Sequence, residues 1–183
     1  MRLGNFSVEI PRGNYLDSGY VAMKHNTKYT IRLCNFGDLR CDAEVEIDGK
    51  PVGAWRVPSN RRIVIERPAH DTGCFTFYKA GTGEAKKAEL VCSEKLGLIT
   101  VLFKPEKKVK VNRSSPQILR MCRQRMKAGG TGLTGKSEQE FHTVQPLDYD
   151  ETGFVQINLR LVCETDEPRP LTPVSTPIPP SLL

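Results

Sequence analysis

The chain has 183 residues, of which 38% are hydrophobic and 26% charged, and it carries a formal net charge of +6. That is enough for one core of ordinary size with extensions, and too little for two complete domains. No run approaches the roughly 18 to 20 apolar residues of a membrane span, and Met1-Arg2-Leu3-Gly4-Asn5-Phe6 does not continue into the hydrophobic stretch of a signal peptide, so a protein without leader or membrane span is expected.

The first predicted strands are Phe6 to Ile10 and Tyr20 to Lys24. Lys28 to Cys34 and Cys41 to Asp48 follow, and in both the apolar residues fall on every second position, the period of a half-buried strand. Ile47 then belongs to the inward face and Glu46 to the outward one. Asp48-Gly49 supplies the positive φ angles of a tight reversal. Val52 to Val57 comes next. Pro51 has no amide to donate and Gly53 no side chain, which places this strand at a sheet edge or a bulge. Arg62 to Glu66, Cys74 to Tyr78 and Leu98 to Lys104 complete the series. Between the last two, residues 79–97 hold Glu84-Ala85-Lys86-Lys87-Ala88-Glu89-Leu90, which reads as one helical turn or a loop.

The fold class is therefore all-β, an antiparallel β-sandwich or jelly-roll-like body over residues 1–104. Residues 105–153 read as a basic, partly helical insertion. Pro116 to Lys127 is its helix, with Ser115 as cap, and Gly129-Gly130 stops it and opens a flexible glycine-rich linker. A strand over residues 154–163 alternates Val155, Ile157, Leu159 and Leu161 with Gln156, Asn158 and Arg160, and returns to the sheet. Residues 164–183 form a Pro-rich C-terminal tail with no core of its own, since six of the 13 prolines lie there.

Charge is divided along the chain. Residues 1–103 hold 15 basic and 12 acidic side chains, residues 104–136 hold 10 and 1, and residues 137–167 hold 1 and 8. The two opposed blocks either pair with each other or recruit partners. Lys107, Lys108, Lys110, Arg113, Arg120, Arg123, Arg125 and Lys127 are the partner-binding candidates of the basic arm. In the tail, Pro170 and Pro173, and Pro177 and Pro180, end two Pro-x-x-Pro motifs that suit an aromatic groove. The arm also has the charge to meet nucleic-acid phosphates, but no Phe, Tyr or Trp lies between Lys104 and Ser137 to stack on a base.

Gly130-Thr131-Gly132-Leu133-Thr134-Gly135-Lys136-Ser137 satisfies the phosphate-loop pattern. Its context does not, for it follows a basic segment rather than a buried strand, and Pro146 limits any helix after it. Trp55 with Tyr15, Tyr20 or Tyr29 has the residue types of a sugar platform, although a lone Trp in an alternating strand is more often a core residue. No catalytic set, cofactor motif or metal-ligand spacing emerges, and His25, His70 and His142 are scattered. The six cysteines fit reduced thiols, and the one pairing worth considering sets Cys34 against Cys41 across a hairpin.

The block Tyr29-x-Ile31-x-Leu33-x-Asn35, Cys41-Asp42-Ala43-x-Val45-x-Ile47-Asp48-Gly49-Lys50-x-Val52-Gly53-x-Trp55, Ile65-Glu66-Arg67-Pro68 and Phe75-Thr76-Phe77 resembles a little-characterised β module. That module occurs in proteins of large double-stranded DNA viruses of algae and protists, and of some protists themselves. The resemblance covers roughly residues 15–104 and implies a fold and a setting, with no catalytic residues. The implied setting is a virion or the host cytoplasm, or otherwise the cytoplasm of a cell. Together these readings lead to a non-enzymatic structural or interaction protein, such as a minor capsid component that cements neighbouring protein subunits in an oligomer or larger assembly. The alternative is a nucleic-acid-associated protein gripping phosphates through the basic arm.

Overall fold

A computed structural model describes residues 1–16, 19–90, 94–107 and 129–164. The predicted helix over 116–127 lies outside the described residues. So do Lys108, Lys110, Arg113, Arg120, Arg123, Arg125, Lys127, Pro170, Pro173, Pro177 and Pro180.

The described chain is mostly β, with one short α-helix. In order it runs β1 (Arg2–Leu3), β2 (Phe6–Glu9), β3 (Asn14–Tyr15), β4 (Tyr20–Met23), β5 (Thr27–Lys28), β6 (Ile31–Asn35), β7 (Cys41–Ile47), β8 (Lys50–Val57) and β9 (Arg61–Ile65). Then come β10 (Cys74–Lys79), the short helix α1 (Gly83–Lys87), β11 (Leu98–Pro105), β12 (Gly129–Thr134) and β13 (Val155–Cys163). α1 is the helical turn expected within 79–97, capped by the Thr82 hydroxyl, which accepts from the Ala85 amide.

Two layers form. One is a six-stranded sheet in the order β3-β4-β13-β11-β7-β8. The other joins a four-stranded sheet, β1-β2-β6-β9, to a three-stranded one, β12-β10-β5. The join is a single ladder with a loop cut into it. Ile31 pairs with Ile65, the Tyr29 amide donates to the Phe75 carbonyl at 3.0 Å, and Thr27 pairs with Phe77. Residues 67–74 bulge out between them, and the Phe75 amide closes their base on the Glu66 carbonyl at 2.8 Å. The expected single strand over Lys28 to Cys34 is accordingly two, because its partner is interrupted. All pairings are antiparallel except β4 with β13.

Burial follows the sequence alternation. Ala43, Val45 and Ile47 are buried while Glu44 and Glu46 between them are exposed. Ile99, Val101 and Phe103 on β11 and Ile157, Leu159 and Leu161 on β13 fill the same layer. Facing them from the other layer are Val8, Ile31, Leu33, Ile65, Phe75 and Phe77. Phe6 stacks on Phe103 with ring centroids 4.6 Å apart, a direct contact between layers. The late strand does return, but into the middle of its sheet, between β11 and β4. β8 is an edge strand with a bulge, since Val45 pairs with Gly53 while Glu46 pairs with Pro51, leaving Val52 over.

Two further expectations fail. Cys34 and Cys41 do not face each other across a hairpin: they lie on β6 and β7, which belong to different sheets, and both are buried free thiols. The glycine-rich segment is no flexible linker. It is β12, paired with β10 from Gly129↔Lys79 to Thr134↔Cys74. Glycine is favoured there because a Cβ on Gly129 would lie 2.2 Å from the Phe77 ring and 2.9 Å from the Tyr78 carbonyl, and one on Gly132 2.5 Å from the Tyr78 ring.

After β12 the chain becomes a strap over residues 137–149. The Ser137 amide donates to the Thr72 carbonyl at 2.7 Å, and its hydroxyl donates to the Glu66 carboxylate. Gln139 then imitates a paired strand with its side chain, donating to the Val64 carbonyl at 2.7 Å and accepting from the Glu66 amide at 3.2 Å. Arg67 reaches three backbone carbonyls, those of Pro68, Asp71 and Gln139, and its guanidinium sits 4.2 Å from the centre of the Phe141 ring. Further on, Arg56 donates to the Gln145 carbonyl, so the strap ties β9 to the edge strand β8.

Candidate interaction surfaces

Of the basic arm, the structure places only its first foot. Lys107 is exposed, and its amide donates to the Asp148 carbonyl at 2.7 Å. Glu106 bridges to Tyr149, and the Asp150 amide donates back to the Pro105 carbonyl at 3.0 Å. The acidic stretch Asp148-Tyr149-Asp150-Glu151 is thus fastened to the point where the arm leaves. Lys104, the first cation of the block, is part of β11 and pairs with Glu44, with its ammonium 5.7 Å from the Tyr149 ring centre.

A polar cluster holds this end together. Arg56 grips Asp42 with two hydrogen bonds, of 2.8 and 3.0 Å, and the Tyr149 hydroxyl donates to Asp42 at 2.8 Å. Burial alone would raise the Asp42 pKa, but the Arg56 and Tyr149 hydrogen bonds and the neighbouring guanidinium charges outweigh it and hold the carboxyl below its usual value. Arg40 makes a second two-pronged pair with Glu106 beside it.

The second foot is Gly129, at the opposite end of β11. A Cβ on Gly97, the residue before β11, would lie 2.6 Å from the Gly129 carbonyl, so the two backbones touch. Asp48 ties this end. Its two oxygens accept from the Gly97 amide at 2.5 Å and the Thr131 amide at 2.8 Å. Burial raises the Asp48 pKa against the pull of those two donors. Beside it lies a groove of about 480 Å³, floored by Ile47 and Phe75 and walled by Lys50, His70, Lys87 and Leu133.

The phosphate-loop pattern runs through this groove's wall as extended β12. Thr131, in its middle, spends its amide on Asp48, its hydroxyl lies 2.7 Å from the Tyr29 hydroxyl, and Ser137 is committed to Glu66. A phosphate cradle needs successive amides converging on one anion, and an extended strand points them alternately to opposite sides. No sugar platform forms either. Trp55, Tyr20 and Tyr29 are buried and Tyr15 alone is exposed, and Trp55 meets Phe141 edge-on at 5.7 Å. Among the described residues, no three His, Cys, Asp or Glu side chains come together as a metal would require.

One surface was not singled out by sequence. On the outer face of the four-stranded sheet the register lines up Arg2, Ser7, Cys34 and Arg62, with Glu9, Arg32 and Val64 as the next row. A cleft of about 580 Å³ opens here, lined by Arg32, Arg61, Arg62, Asn60, Phe36 and Glu9 among others. Glu9 pairs with Arg32 at 3.0 Å. With Arg2 on β1, Arg32 on β6 and Arg61 and Arg62 on β9, the arginines sit on three separated segments, which the pairing of β1, β2, β6 and β9 gathers.

Comparison with known protein families, curated proteins and solved structures finds no match to the chain. What the fold establishes is a class: an all-β protein with a sandwich-like body, in which no helix among the described residues is long and apolar enough to cross a membrane.

Proposed function

We propose that the protein is a non-enzymatic structural or interaction protein, a jelly-roll-like body whose basic arm and Pro-rich tail engage other protein subunits in an assembly. The carrying observation is the crossing between the two feet. From Lys107 back to Gly97, beside Gly129, run β11 and its flanking residues, a span of roughly 33 Å at about 3.3 Å per residue. About ten extended residues would span it, and residues 108–128 supply twice that number. That segment carries Lys108, Lys110, Arg113, Arg120, Arg123, Arg125 and Lys127, a block of cations in the chain between two anchored ends. Charged chain tethered to a rigid body suits capture of a neighbouring subunit.

The resemblance to modules of large DNA viruses supports a minor capsid or virion role of this kind, in which small β bodies with extended arms cement neighbours. The setting would be the virion or the host cytoplasm. The test is native purification of the tagged chain from the cell that makes it, beside two variants, one lacking residues 168–183 and one with Arg120, Arg123 and Arg125 changed to Glu. The intact chain should elute in a particle larger than a monomer, with both variants depleted from it. An intact chain that elutes alone, or variants that assemble like it, would overturn the reading.

A further inference from the structure

From the cationic cleft on the four-stranded sheet we infer a second binding site, on the folded body itself, for single-stranded nucleic acid. It is independent of the basic arm. Phe36 is the key residue. It is 46% exposed, while its amide and the residues on either side of it are tied down. The Phe36 amide donates to the Asn5 carbonyl at 2.8 Å, and the Asn60 amide donates to the Gly37 carbonyl at 3.1 Å. Asn35, 1% exposed, locks the turn by donating to the Leu39, Val57 and Pro58 carbonyls while accepting from the Gly37 amide at 2.9 Å. A ring held out by such a turn is a preformed platform and loses little entropy when something stacks on it.

The surroundings specify what stacks. The Arg2 guanidinium lies 4.3 Å from the centre of the Phe36 ring, which adds positive charge to the platform. Arg61 and Arg62 are exposed beside it, and Arg32 lines the cleft floor. Glu9 neutralises one of these four cations. Arg32 Nε and Ser7 Oγ, both on this face, are buried without a protein partner, two of the three such side-chain atoms among the described residues. A flat apolar ring flanked by Arg2, Arg61 and Arg62, which make no ion pair among the described residues, matches a ligand that alternates π faces with anions, which is the chemistry of a single strand. A duplex hides its bases from a protruding ring, so it would meet the arginines alone.

The experiment is fluorescence anisotropy with labelled dT12, rU12 and a 12-base-pair duplex, from 50 to 300 mM NaCl. The chain without residues 108–128, joined by a linker of about twelve Gly and Ser residues, is measured beside the full chain. Both are expected to bind the single strands more tightly than the duplex. Phe36→Ala should weaken single-strand binding roughly 5- to 150-fold, the range of one lost stack, and leave the salt slope unchanged, and Phe36→Trp should restore binding. Changing Arg61 and Arg62 together to Gln should lower the slope of log K against log salt by about 1.4. Thermal melts of each variant confirm that the body is folded. Equal affinity for duplex and single strand, binding lost with the arm, or no binding at 50 mM salt would each overturn the assignment. Indifference of a folded Phe36→Ala variant would do so as well.

Discussion

Ile47 and Glu46 are chain neighbours with opposite surroundings, one at 4% exposure against the core and the other in solvent. Ile47→Ala should cost about 2 to 5 kcal/mol, and Glu46→Ala should stay within about 0.5 kcal/mol, both read from urea midpoints. Equal effects would mean that the register of β7 is wrong. Asp42 gives a pH signature of known sign. Its folded pKa lies below its unfolded value, so its contribution is complete above the unfolded value of about 3.9 and is lost as pH falls through the folded one. The stability gap between wild type and Asp42→Asn, measured by urea unfolding from pH 7 to pH 2.5, should therefore narrow toward the acid end. A gap that stays constant would assign Asp42 no net charge interaction. Cys41, whose thiol burial and the adjacent Asp42 push up to about 12, should resist alkylation in the folded protein.

At the level of elements, β12 departs furthest from what its residues suggest. Gly-Gly-Thr-Gly-Leu-Thr has no alternation and poor β propensity, yet it fills a place where the Phe77 and Tyr78 rings of β10 and the Leu96 side chain leave room for backbone only. Gly132→Val should then cost about 1 to 3 kcal/mol through overpacking, whereas Lys136→Ala, at an exposed position just beyond, should stay within about 0.5 kcal/mol. Thermal denaturation of the two variants checks the contrast. The long alternating strands β7, β11 and β13 were legible because each sees one core and one solvent face, and period two records that directly. The break between β5 and β6 was not, since it depends on a loop in the partner strand. The cleft around Phe36 was illegible for a similar reason. Arg2, Arg32 and Arg62 are unremarkable along the chain and meet only through antiparallel register.

For the whole molecule, the strap covers part of two sheet edges. β8 and β9 are both edges in the strand order, and exposed edges invite pairing between molecules. Gln139 occupies the backbone groups of Val64 and Glu66, and Arg56 binds the strap from the β8 side. Gln139→Ala should lower stability by about 1 kcal/mol and raise the concentration-dependent association of the protein, seen by light scattering. A variant that remained as dispersed as wild type would show that the charged side chains nearby suffice to guard the edge.

The central place of β13 bears on what a cut would do. Residues 108–128 join two parts of the chain that are already interleaved: β13 lies between β4 and β11, and β12 extends the ladder of β10. A protease acting in that stretch would sever the polypeptide and leave two fragments bound to each other, each missing strands that the other supplies. The same geometry makes this a natural split point, where two halves expressed separately would have to find one another before either acquired a core.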